Sequence, residues 1–133
     1  NHAFAISTAA VSQHAALAAL SGPQDCVEEM RQTYDERRRV LCDGLASLGI
    51  PHADPQGAFY VYADVSVTGV PASIFCERLL RDARVLAYPG TIYGDYVDSY
   101  VRLSLTQPIA RIKEAIARMR PLVAAIRAEH KPA

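Results

Sequence analysis

Residues 86–105, LAYPGTIYGDYVDSYVRLSL, restrict the possible folds more than any other stretch of the chain. Pro89 and Gly90 close a short extended run, Val85 to Tyr88, because proline has no amide hydrogen to continue a ladder and glycine accepts turn dihedrals. A second glycine, Gly94, follows four residues later. Tyr100 to Leu105 then alternates Val101, Leu103 and Leu105 against Arg102 and Ser104, the period of a half-buried strand. Such a chain builds a sheet with one apolar face, and Arg102 stands on the other.

The remaining segments supply what covers the apolar face. Residues 1–22 read as a lead-in and a short Ala-rich helix, with Ser12 as its N-cap and an end near Ser21 and Gly22. Residues 23–48 read as one long amphipathic helix. Pro23 opens it, Asp25, Glu28 and Glu29 load its first turns, Val27, Met30, Tyr34, Leu41, Leu45 and Leu48 recur on one side, and Gly49 stops it. Its Arg37, Arg38 and Arg39 follow Asp35 and Glu36, with Asp43 at i+4 from Arg39, the pattern of a solvated, salt-bridged face. The α/β core is expected over 58–129: a strand in AFYVYADV (58–65), a helix from Thr68–Pro71 to Ala83 with Ile74, Phe75, Leu79 and Leu80 apolar, the two strands above, and a closing helix. That helix carries Ile109, Ile112, Ile116, Met119, Val123 and Ile126, with Thr106 as N-cap and Pro121 as a kink or restart. The sum is a single α+β domain, 1–133, with a small, mainly antiparallel sheet covered by helices.

Charge and composition exclude several partners. Fourteen basic residues balance fourteen acidic ones, so the electrostatic footprint that nucleic acid selects is absent. No apolar run approaches the roughly 20 residues that cross a bilayer, and no secretory signal pattern is visible. Cys26, Cys42 and Cys76 form an odd set without a CxxC pair, which suits a cytoplasmic protein with ordinary thiols. His2, His14, His52 and His130 are scattered without metal-ligand spacing. Dinucleotide, Walker, nucleophile-elbow, HExxH and EF-hand patterns are all missing.

An arginine on a strand beside a tight Pro-Gly loop is chemically suited to a carboxylate, because its planar fork gives two parallel charge-assisted hydrogen bonds. By pattern alone, an exposed sheet arginine paired with a nearby acid is the better explanation of Arg102, since any half-exposed strand shows such alternation. The order and spacing of QGAFYVYADVS (56–66), RVLAYPGTIYG (84–94) and YVRLSLT (100–106) go further: together they resemble the small domain of class I/II aminotransferases of the aspartate aminotransferase type. SQHAALAAL and the long helix resemble the segment before it, so the likeness spans nearly the whole chain. Tyr93 replaces the commoner phenylalanine, and DYVD replaces a glycine-containing turn.

The resemblance implies that Arg102 grips the carboxylate of amino-acid and 2-oxo-acid substrates, that the Pro89 to Gly94 loop with Tyr93 borders the active site, and that Phe59 and Tyr60 shape it. Core packing is the alternative role for Phe59. It implies pyridoxal 5'-phosphate held by a large domain, whose Schiff-base lysine is expected upstream of Asn1. Lys113 and Lys131 read as surface charges, so no catalytic residue is assigned within this chain, and the fragment is expected to be inactive alone. A homodimer is implied for the full-length enzyme, and Phe4 and Ile6 are expected to be exposed in the fragment. The competing reading is a ferredoxin-like binding or regulatory module, in which the first forty-eight residues have no place.

Overall fold

A computed structural model of the chain describes residues 7–94 and 98–130. The chain forms two compact units, residues 1–32 and residues 33–133. In the first, helix α1 (Ala10–Ser21) buries none of its residues, and Val11, Leu17 and Leu20 are all exposed. Phe4 and Ile6 lie outside the described residues. The helix starts two residues before Ser12, on the Ala9 carbonyl, which accepts the Ser12 and Gln13 amides. Ser12 is therefore inside the helix and does not cap it.

Helix α2 (Asp25–Ser47) begins after Pro23 and ends at Gly49, whose φ of +64° is left-handed. Only glycine adopts that conformation without strain. The Gly49 amide bonds the Ala46 carbonyl and the Ile50 amide bonds the Leu45 carbonyl, the paired bonds of a Schellman ending, with Leu45 and Ile50 buried together. Two arginines of the last helix finish the cap. Arg127 donates to the carbonyls of Leu48 and Gly49 at 2.9 and 2.8 Å, and Arg120 to the carbonyl and Oγ of Ser47. The terminal carbonyls that a helix leaves orphaned are thus met by cations.

The second unit contains β1 (Tyr60–Asp64), α3 (Ala72–Ala83), β2 (Tyr88–Pro89), β3 (Tyr100–Ser104) and α4 (Ile109–Glu129), with 3-10 turns at Ser66–Thr68 and Gly90–Tyr93. The sheet order is β1-β3-β2 and both pairings are antiparallel. This is an α+β arrangement. Val61 and Ala63 of β1 and Val101, Leu103 and Leu105 of the β3 segment point into a core shared with Leu41, Leu45, Phe75, Leu79, Ile112, Met119, Val123 and Ile126. Ile74 and Leu80, apolar in sequence, are 44% and 52% exposed on the far side of α3.

Several local expectations change. Ala58 has a φ of +59°, so the β1 ladder starts at Tyr60 rather than at residue 58. The strand expected over Val85 to Tyr88 is bonded only at Tyr88 and Pro89, although Val85 and Ala87 keep their buried side. Helix α4 is capped by Pro108, not by Thr106, whose amide and hydroxyl both engage Ser104 Oγ. Pro121 sits within the continuous helix Ile109–Glu129 rather than restarting it. In the arginine run, Arg38 pairs with Asp35 and Asp54, and Arg39 pairs with Asp35 rather than Asp43. The Arg38 hydrogen bond holds the Asp35 carboxyl below its ordinary value. Arg37 leaves the salt-bridged face altogether.

Candidate substrate-binding face

The face of the sheet turned away from the core is built from tyrosines around one arginine. Strand alternation sends Tyr60 and Tyr62 outward from β1 while Val61 and Ala63 go in. Register then places Tyr62 and Tyr88 on either side of Arg102, because Arg102 is the Cα partner of both. The 3-10 turn that follows Pro89 carries Tyr93 back over the same face.

The Arg102 guanidinium carbon lies 4.1 Å from the centre of the Tyr60 ring, 4.2 Å from Tyr93 and 5.5 Å from Tyr88. The Tyr62 ring meets Tyr93 edge-on at 6.5 Å. Cations are attracted to the faces of such rings, but aromatic carbon accepts none of the five N–H bonds of a guanidinium. Among the described residues no carboxylate and no carbonyl pairs with Arg102, which is half-buried. Asp64, outward on the neighbouring strand, is engaged by the Ser66 amide at 2.9 Å. Seven other arginines pair with acids: Arg31, Arg38, Arg39, Arg78, Arg81, Arg111 and Arg118. Among the described residues Arg102 is thus a positioned cation without a counter-ion, and the exposed-and-paired alternative for it does not hold there.

Of the four residues singled out in sequence, Arg102 contacts both Tyr60 and Tyr93. Phe59 is one ring removed: it lies 4.4 Å from Tyr60 and 6.0 Å from Tyr34. Tyr62 and Tyr88 were not singled out, although the alternation in YVY and the position just before Pro89 carried the signal. A separate groove of about 410 Å³ lies between Leu86, Leu103, Ile112 and Met119, on the helical side of the sheet. Its lining carries three arginines, Arg84, Arg111 and Arg118, against one acid, Glu114, which pairs with Arg111 and Arg118.

Among the described residues, neither a lysine nor a metal cluster accompanies Arg102. Lys113 is exposed on α4, the helix packed against the opposite face, and Lys131 lies outside the described residues. A cofactor that needs a Schiff-base lysine therefore does not fit the described residues of this chain. No three His, Cys, Asp or Glu side chains among the described residues group to hold a metal, and no described helix is long and apolar enough to cross a membrane.

The sequence matches the family Aminotransferase class I and II over residues 1–119. The chain belongs to that family. Its similarity to LL-diaminopimelate aminotransferase of Desulforudis audaxviator is 46% identity over 110 residues, 83% of this chain and 28% of that protein. The aspartate aminotransferase of Pyrococcus abyssi is 37% identical over 109 residues, covering 80% of this chain and 28% of that one. Among solved structures, an aminotransferase from Mycobacterium tuberculosis superposes with a TM-score of 0.83 at 35% identity, over 93% of this chain and 33% of the other. The chain spans just over a quarter of the length of the curated relatives it matches. The family match includes both N-terminal helices of this aminotransferase segment, which a ferredoxin-like module has no use for.

Proposed function

We propose that residues 1–133 are the C-terminal small domain of a pyridoxal-phosphate-dependent aminotransferase, and that Arg102 receives the carboxylate of its amino-acid and 2-oxo-acid substrates. The enzyme moves an amino group from the one to the other. The observation that carries this reading is the half-buried Arg102 guanidinium, held between tyrosine rings and without an acid among the described residues. An unpaired fork of donors on a rigid strand is complementary to a carboxylate, whose two oxygens accept in parallel. Tyr93 lines the same site, and Phe59 supports it from behind Tyr60.

The cofactor supplies the electron sink for the amino-group chemistry when bound. Its lysine and phosphate donors belong to a large domain, and the segment described here contributes substrate grip. Its partners are that large domain and the two classes of substrate. A cytoplasmic homodimer is the proposed setting of the whole enzyme. The test is Arg102→Ala in the full-length enzyme: KM for the amino donor should rise steeply, and unchanged kinetics would remove the assigned role.

A further inference from the structure

Arg102 has a long, flexible side chain, and fixing it costs rotamer entropy. An acid partner would hold it but would also neutralise it. Tyrosine rings hold the plane of the guanidinium while leaving its N–H edge open, provided the rings themselves are held. Tyr60 stands on an open sheet face, so something must keep its ring against Arg102.

A chain of contacts leads from Tyr60 to helix α2. The Phe59 ring lies 4.4 Å from Tyr60, and Tyr34 of α2 stacks on Phe59 at 6.0 Å with the planes 30° apart. Phe59 reaches Tyr34 because the left-handed Ala58, with φ at +59°, turns the chain just before the strand. The Arg37 guanidinium lies over the Tyr34 ring at 5.4 Å. From there it donates to the carbonyls of Leu105 and Thr106, each at 3.2 Å. Those carbonyls directly follow β3, the strand that carries Arg102. The Leu105 amide in turn bonds the Phe59 carbonyl at 2.9 Å.

The contacts therefore close on themselves. Arg37 ties α2 to the end of β3, β3 presents Arg102, Arg102 rests on Tyr60, and Tyr60 is backed by Phe59 and Tyr34 beneath Arg37. Neither Tyr34 nor Arg37 touches Arg102. Both are half-buried, and Arg37 spends its donors on two carbonyls and its charge on a ring. That is an unusual investment in the end of a single strand.

We propose that Tyr34 and Arg37 are positioning residues, which set the Arg102 guanidinium for a substrate carboxylate through Phe59, Tyr60 and the end of β3. The inference rests on Arg102 being the carboxylate site. It assigns to α2 a part in substrate affinity and none in the chemical step.

The experiment uses the full-length enzyme with Tyr34→Leu, Tyr34→Phe, Arg37→Gln and Arg102→Lys, each checked for native circular dichroism. The readouts are KM and kcat for the amino donor and the inhibition constant of propionate, a simple carboxylate probe. Tyr34→Leu is expected to raise KM and the propionate constant together by about 3- to 10-fold, with kcat within about twofold, as the loss of one aromatic contact predicts. Tyr34→Phe keeps the ring and should match the parent. Adding Tyr34→Leu to Arg102→Lys should cost less than the product of the two single effects, since both act through one guanidinium. If Tyr34→Leu does not fold, Arg37→Gln is read in its place, because glutamine keeps a donor for the carbonyls and removes the cation over the ring.

Unchanged KM and propionate binding in Tyr34→Leu, or in its replacement, alongside a raised KM in Arg102→Lys would overturn the positioning role and leave the carboxylate site standing. A loss confined to kcat, or fully multiplicative effects in the double variant, would overturn it too. If Arg102→Lys itself changes neither constant, the carboxylate assignment fails and the positioning role fails with it.

Discussion

The Arg102 guanidinium carbon sits 4.1 Å above the centre of the Tyr60 ring, and the two residues belong to neighbouring strands one diagonal step apart in the β1–β3 register. Diagonal neighbours of this kind are within reach of aromatic and long side chains. The contact uses the face of the ring, and among the described residues no acid or carbonyl takes the guanidinium N–H groups, which makes the carboxylate reading testable in several ways.

On the proposed reading, Arg102→Ala removes two charge-assisted hydrogen bonds to the substrate carboxylate. In the full-length enzyme this should cost about 2 to 4 kcal/mol, or roughly 30- to 1000-fold in KM for amino acids. Arg102→Lys keeps the charge but loses the fork, so its KM should fall between the two. Reaction with a simple amine, which has no carboxylate, should be unaffected by either change. Equal losses on the amino acid and the amine would show that Arg102 acts on something other than the carboxylate.

Tyr93 contributes its ring. Its hydroxyl makes no hydrogen bond among the described residues, while its ring centre lies 4.2 Å from the Arg102 carbon. Tyr93→Phe should leave KM within about twofold of the parent, whereas Tyr93→Ala should raise it about 3- to 10-fold. Steady-state kinetics on the two variants checks this, and a large defect in Tyr93→Phe would shift the role to the hydroxyl.

Gly44 of α2 lies against the Ile116 side chain of α4. A Cβ there would lie 2.6 Å from Ile116 Cγ1 and 2.8 Å from its Cδ1. Replacing a helix-interior glycine by alanine ordinarily gains about 1 kcal/mol, but overpacking of this severity costs about 1 to 3 kcal/mol. Gly44→Ala should therefore lower the urea midpoint. In an Ile116→Ala background the same change should become neutral or stabilising.

Arg78 of α3 bonds Glu129 at the end of α4 at 2.6 Å. That hydrogen bond, first among the causes, holds the Glu129 carboxyl below its ordinary value. The folded state thus binds this proton more weakly than the unfolded chain, so the pair contributes stability above the ordinary carboxylate pKa and loses it as pH falls through the depressed folded value. Glu129→Gln should lower the unfolding midpoint at about pH 7 and make no difference at about pH 2. A mutational effect that stays constant across this range would show that packing, not charge, is responsible.

Much of the site was legible locally. The alternation in YVRLSL placed Arg102 opposite Val101, Leu103 and Leu105, while the family resemblance of the Pro-Gly loop put Tyr93 near it. What escaped were pairings set at a distance. Tyr62 and Tyr88 flank Arg102 because of strand register, which no single strand encodes. Arg37 looked like one more charge in a basic run, yet it bonds carbonyls 68 and 69 residues away. Ser12 and Thr106 have the chemistry of N-caps, but Ala9 and Pro108 hold those positions, with Thr106 engaged by Ser104 instead.

By itself, then, the sequence determined the helix and strand periods, the glycine ending of α2, the outward face of Arg102 and the family. Those depend on side-chain spacing and backbone dihedrals within a few residues. Only the tertiary structure decided that, among the described residues, Arg102 would have tyrosine rings and no acid beside it, and that Tyr34 and Arg37 of α2 would reach Phe59 and the end of β3. A guanidinium takes whichever partner the packing brings within a few ångströms, and that choice is made by the register of β1, β2 and β3 and by the bend at Ala58.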